Sequence, residues 1–196
     1  RSQRAAERLL GTSKTYLEKK LKLKVNEEKS KVVSVYSIRN FKFLGFALGR
    51  NKNGTYIRVH AKSMKKAKQK LKALTSRSQG RNVRVVMRKV KVYMQGWLGY
   101  YSIADMKNTI DDWNGWLRRR IRMYIWKQWK KPKTKVKNLL KLGIPEWAAY
   151  NYGNSRKGYW RMSGTTTMNN ALSNERLAQM GYFDISQKYK SLHLCG

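Results

Sequence analysis

An α+β chain is predicted, in three successive stretches: a leading helix, a small antiparallel sheet and an all-helical remainder. Three observations predict it. Apolar residues recur at helical spacing on both sides of a short segment rich in β-branched and aromatic residues. That segment contains Asn53-Gly54, the strongest short hairpin signal. From Lys62 onward the apolar pattern is helical to the end.

The first helix is read in "SQRAAERLLGTSKTYLEKKLKLKV", where Ala5, Leu9, Leu10, Tyr16, Leu17 and Leu21 share mostly helical spacing, with Ser2 as N-cap and Gly11 as a mild interruption. "NEEK" after Val25 reads as a turn. "KVVSVYSI", "FKFLGFALG" and "TYIRVH" read as two or three strands, with a tight hairpin between Leu48 and Tyr56. In "AKSMKKAKQKLKALTSRS", Met64, Ala67, Leu71 and Leu74 form one face and lysines fill the rest. "GRN" interrupts, and Val86, Val90, Tyr93, Trp97 and Tyr101 form the next stripe. A long third helix is expected with Asp105 as cap, a stripe of Met106, Ile110, Trp113, Leu117, Ile121 and Tyr124, and Pro132 as its end. "TKVKNLLKLGI" is a helix stopped by Gly143 with Pro145 beyond, and short helices are expected to start at Thr165 or Thr166, Ser173 and Asp184.

Charge narrows the function. The 196 residues carry 45 Lys+Arg against 10 Asp+Glu, a net charge of +35, with hydrophobic content of 41%, which suits a folded protein. The excess is not confined to a tail: basic and acidic residues number 15 and 4 over residues 1–60, 20 and 3 over 61–131, and 10 and 3 over 132–196. Such a polycation is most simply relieved by a polyanion, with nucleic acid ahead of an anionic membrane surface. No run approaches the roughly 18 apolar residues of a spanning helix. The single Cys195 excludes an internal disulfide framework and suits a reducing compartment, and no metal-ligand spacing is visible around His60 and His193. The opening "RSQRAAERLL" is neither a signal peptide nor a natural start, so a piece of a longer protein is expected.

The long helix is expected to use its apolar stripe for the core and to leave Arg118, Arg119, Arg122, Trp126, Trp129 and Lys130 around a second, wet face. Two readings compete for the indoles: packing on neighbouring elements, or stacking on unpaired bases. For the cations as a set, phosphate contact with counterion release is the stronger reading. Indoles and cations are mixed around the cylinder, which argues against a membrane-surface helix. The residues expected to bind nucleic acid are Lys65, Lys66, Lys68, Lys72, Arg84, Arg88, Lys91, Arg118, Arg119, Arg122, Trp126, Lys127 and Lys130. Few acids are available for catalysis. Glu27-Glu28 reads as a turn and Asp111-Asp112 as the first turn of a helix. The chain therefore looks like a binding and positioning unit.

"RSQRAAERLLGTSKTYLEKKLKLKVNEEKSKV" followed by "FKFLGF" resembles the end of the palm of a group II intron reverse transcriptase. "GWLGYY", "DWNGWLRRRIRMYIWKQWKK" and "LLKLGI" resemble that family's thumb, the maturase-specific domain X. The resemblance implies a residual polymerase palm over residues 1–61, thumb helices over 62–131 and a C-terminal helical extension over 132–196. It implies binding of intron RNA to assist splicing, and a grip on the RNA–DNA template–primer duplex during intron mobility. Phe43, Leu44, Gly45 and Phe46 match the primer grip; the competing reading is a buried strand whose glycine allows close approach. Lys29 matches the motif D lysine that acts on the leaving pyrophosphate; the competing reading is a solvated turn lysine.

The family's "YADD" box, its fingers and its first palm motifs are absent from these residues. The implied parent is an RNA-directed DNA polymerase, but this chain alone is expected to be inactive. No cofactor is expected in it; Mg2+ is expected only with the missing palm aspartates. The expected partners are structured intron RNA, the template–primer duplex and the missing fingers and palm, in a cytoplasmic bacterial ribonucleoprotein and not on a membrane. The alternative is a general nucleic-acid-binding helical module unrelated to polymerases.

Overall fold

Ser2 opens α1 (Gln3–Lys19) by accepting a hydrogen bond from the Ala5 N–H, as its hydroxyl suits an N-cap. In this computed structural model, which describes residues 2–34, 42–52 and 54–193, the chain is α+β and divides into two compact units, Arg1–His60 and Ala61–Gly196.

The first unit holds α1 and a two-stranded antiparallel sheet, β1 (Phe46–Asn51) and β2 (Gly54–Val59). The register runs from Phe46↔Val59 to Asn51↔Gly54, so the hairpin turns where the sequence pointed; Asn53 itself lies outside the described residues. Gly49 faces Tyr56, whose ring would meet a Cβ at 2.5 Å, so the glycine lets that ring lie close over the strand. The strand expected in "KVVSVYSI" falls partly outside the described residues, and residues 31–34 are irregular.

"FLGF" is a turn that leads into β1 at Phe46. Leu44 (φ 48°) and Gly45 (φ 85°) both adopt left-handed backbone, and Phe43 and Phe46 exchange N–H to C=O bonds of 3.1 and 2.8 Å. This is a type I′ turn, the geometry that matches strand twist. The positive φ at Leu44 is costly for a branched side chain.

The second unit is helical: α2 (Ala61–Leu74), α3 (Val83–Tyr100), α4 (Lys107–Gln128), α5 (Pro132–Lys141), α6 (Glu146–Gly153), α7 (Tyr159–Met162), α8 (Thr166–Ala171), α9 (Asn174–Gln179) and α10 (Ile185–His193). Asn82, Thr165 and Ser173 cap α3, α8 and α9 through their side chains. Asp184 accepts from the Gln187 N–H at the start of α10. Two expectations about α4 fail. Its N-cap is Met106, without a side-chain cap bond, so Asp105 does not cap it. Pro132 does not end it either. The helix stops at Gln128, and the proline occupies the first turn of α5, where its missing N–H costs nothing.

Gly143 ends α5 at φ 81°. Ile144 N–H bonds Leu139 C=O and Gly143 N–H bonds Leu140 C=O, a Schellman motif whose two apolar ends, Leu139 and Ile144, enter the core.

All six residues of the α4 stripe are buried. Its C-terminal half joins Val83, Val86 and Met87 of α3 and the apolar residues of α5 to α9 in one core. Its N-terminal half packs with α10. The Tyr189 hydroxyl donates to Ala104 C=O (2.8 Å) and accepts from Met106 N–H (3.1 Å), closing the α3–α4 connection.

Candidate nucleic-acid interface

Each arginine of "LRRRIR" on α4 is committed to another part of the second unit. Arg118 pairs with Asp184 at 2.5 Å. Asp184 also accepts from the Asn114 amide at 2.8 Å, and Asn114 accepts from the hydroxyl of the half-buried Tyr182 at 2.8 Å. Partial burial pushes the Asp184 pKa up, but the Gln187 N–H, the Asn114 amide and Arg118 outweigh it and hold the carboxyl below its ordinary value. Burial pushes the Tyr182 phenol well above its ordinary range.

Arg119 donates to Trp160 C=O (3.0 Å), with its guanidinium 4.1 Å from the Trp160 ring centroid. Arg120 reaches α2, donating to Lys72 C=O (3.0 Å), Thr75 C=O (3.1 Å) and the Thr75 hydroxyl. It thereby satisfies carbonyls at the α2 C-terminus, where a cation also suits the helix dipole. Arg122 is buried, donating to Leu172 C=O (2.8 Å) at the end of α8 and to the Asn174 side chain (3.2 Å). Burial lowers the pKa of Arg120 and Arg122 from the ordinary arginine value.

Two expected interface residues therefore face inward. Trp126 is 1% exposed, edge-on to Trp129, and Arg122 is buried, so neither offers a surface to a base or a phosphate. The wet face expected on α4 is taken up by α7 to α10, elements whose short helices gave little periodicity to read. Arg118 and Arg119 are half-buried and tied to protein groups. Lys127 and Lys130 are exposed, Lys127 with its ammonium 5.1 Å from the Tyr159 ring centroid.

The other expected cations lie elsewhere. Lys65, Lys66, Lys68 and Lys72 on α2, and Arg84, Arg88 and Lys91 on α3, are all exposed. Neither helix contains an acid. Lys65, Lys68 and Lys72 (i, i+3, i+7) share one side of α2; Arg84, Arg88 and Lys91 (i, i+4, i+7) share one side of α3. Between α2, α4 and α7 opens a groove of about 390 Å³ lined by Lys65, Lys68, Lys72, Trp116, Arg120 and Trp160. Sequence reading missed Trp116, Arg120 and Trp160. The signal for Trp116 was its place off the α4 stripe; Trp160, 44 positions later, had none.

In the first unit Lys29 is exposed in a turn, its N–H bonded to the Asn26 side chain at 3.0 Å. Phe43 and Leu44 are exposed and Gly45 and Phe46 half-buried at the I′ turn. Among the described residues no group of three or more His, Cys, Asp or Glu side chains could hold a metal ion. Among them, too, no helix is long and apolar enough to cross a membrane.

Residues 64–143 match the family model described as Group II intron, maturase-specific domain. The match begins in α2, covers α3 and α4 and ends at the glycine that stops α5, in the region whose motifs resembled domain X. It implies a group II intron maturase role. No curated protein matches the chain. The maturase-specific segment thus contains both rows of exposed cations and all four committed arginines, while Trp160 and α6 to α10 lie beyond it.

Proposed function

We propose that this chain is the RNA-binding part of a group II intron maturase, holding intron RNA in its splicing-competent form through backbone contacts from α2 and α3. The observation that carries this reading is the pair of cation rows, Lys65/Lys68/Lys72 and Arg84/Arg88/Lys91, on two exposed helix faces without acids. Phosphates neutralised by such rows release counterions, giving tight, salt-dependent and largely sequence-independent affinity. A-form RNA favours this shape-led mode because its deep groove hides the base edges. The match over residues 64–143 supports the reading over a binding module of other ancestry.

The reading extends to reverse transcription. The Phe43–Phe46 turn, exposed at Phe43 and Leu44, is suited to rest against a primer end, with Lys29 of the same unit acting near the leaving pyrophosphate, and the cation rows to follow a template–primer duplex. Metal chemistry would belong to a palm aspartate box and not to these residues.

The test is a filter-binding titration of the chain against a group II intron RNA over a range of salt. Replacing Arg84, Arg88 and Lys91 together with Gln should lower the slope of log K against log salt by about 2 to 3. An unchanged slope removes α3 from the interface. Absence of binding at about 150 mM salt, where exposed charges are screened beyond about 8 Å, ends the reading.

A further inference from the structure

We propose that the groove between α2, α4 and α7 receives one unpaired nucleotide of a bound RNA, its base against Trp116 and Trp160 and its flanking phosphates on Lys65, Lys68 and Lys72. The proposal rests on the RNA-binding reading and names a contact within it that duplex-backbone binding does not require.

Three features of the groove fit that occupant and no apolar or cationic one. The seven side chains that line it are three lysines, a glutamine, an arginine and two indoles, without a carboxylate. The lysines form a row about 10 Å long on α2, from the rise of 1.5 Å per residue, which spans the phosphates on either side of one nucleotide. The volume of about 390 Å³ lies in the range of small-ligand sites.

The aromatic walls are also held in advance. Trp160 is 40% exposed, with its carbonyl bonded by Arg119 and its ring against the same guanidinium. Arg120 lies 5.1 Å from the Trp116 ring centroid while its N–H groups clamp the end of α2, so one residue fixes both the indole and the lysine row. Lys68, exposed at the other helix, has its ammonium 5.6 Å from the Trp116 centroid. It is the movable part: an arriving base takes the indole face, and the ammonium turns to the phosphate. Preorganised walls lower the ordering cost of binding. A base stacked within a duplex cannot enter, so the groove selects bulges, loops or single strands.

The experiment compares the full chain binding two RNA hairpins that differ only in one bulged 2-aminopurine nucleotide, at about 150 mM salt, where long-range screening is strong. The wild-type chain should favour the bulged RNA and change the 2-aminopurine fluorescence. Trp116→Leu and Trp160→Leu should each weaken the bulged RNA roughly ten-fold, the paired hairpin by less than about two-fold, and diminish the fluorescence change. Trp116→Phe should retain most of the preference. Equal losses on the two RNAs, or wild-type binding that leaves the fluorescence unchanged, overturns the groove assignment while leaving backbone binding intact. If the wild-type chain binds neither hairpin nor an intron RNA, the RNA-binding reading itself fails. Should Trp116→Leu unfold, Trp160→Leu and the wild-type fluorescence still decide.

Discussion

The arginines of α4 and the cations of α2 and α3 are similar in charge density along the chain, yet they have opposite fates. Arg118, Arg119, Arg120 and Arg122 end on a carboxylate or on main-chain carbonyls of other elements. Lys65, Lys68 and Lys72 on α2, and Arg84, Arg88 and Lys91 on α3, stand exposed. A guanidinium can serve several carbonyls at once in a fixed fork, whereas an ammonium is a strongly hydrated point charge on a flexible stem. The arginine run of α4 is thus a set of struts, and the rows on α2 and α3 are the surface proposed to meet a polyanion. Cation density alone is a poor guide to an interface when the cations are arginines on a central helix.

The comparison breaks or sharpens under substitution, and the largest effect is expected at its centre. Trp126→Ala should cost about 3–5 kcal/mol of stability, as loss of a fully buried indole does, measured by denaturant unfolding. A fold of unchanged stability with weakened RNA binding would return Trp126 to the surface. Arg122→Ala comes next. It leaves the Leu172 carbonyl at the end of α8 without its buried donor, and should cost about 2–3 kcal/mol without altering the salt slope of RNA binding.

A smaller effect, about 1–2 kcal/mol, is expected for Asp184→Asn, which also carries a pH signature. The folded carboxyl titrates below its unfolded value, so its contribution is present above the unfolded pKa and is lost as pH falls through the folded one. Wild type and variant should therefore differ in melting temperature at neutral pH, begin to approach each other below about pH 4, near the unfolded aspartate value, and converge only once pH has fallen through the folded one. A difference that persists in acid would show that Asp184 acts by shape alone.

The smallest stability change belongs to the exposed row. Lys65, Lys68 and Lys72 replaced together by Gln should move stability by less than about 0.5 kcal/mol. The same variant should lower the salt slope of RNA binding by about 2 to 3. A large loss of stability there would erase the distinction between strut and surface.

Much of the fold was legible because periodicity and caps are local. The α4 stripe from Met106 to Tyr124 is buried as its spacing requires, Ser2 and Ser173 cap their helices, and Gly143 ends α5 through a positive φ. The misreadings have equally local causes. "FLGF" has strand composition, yet Gly45 and the Phe43–Phe46 exchange make it a turn. Pro132 is compatible with a helix end and with a helix start, and the chain uses the second.

What the sequence determined by itself was the alternation of helix and hairpin, the apolar face of each long helix and the excess of positive charge, because each depends on neighbours within a few positions. Tertiary structure alone decided which cations are spent inside and which remain for a ligand. Arg120 meets Thr75 across 45 positions and Arg119 meets Trp160 across 41, and no spacing rule reaches so far. Whether a charged side chain is solvated depends on what packs over it, and that is a property of the assembled core.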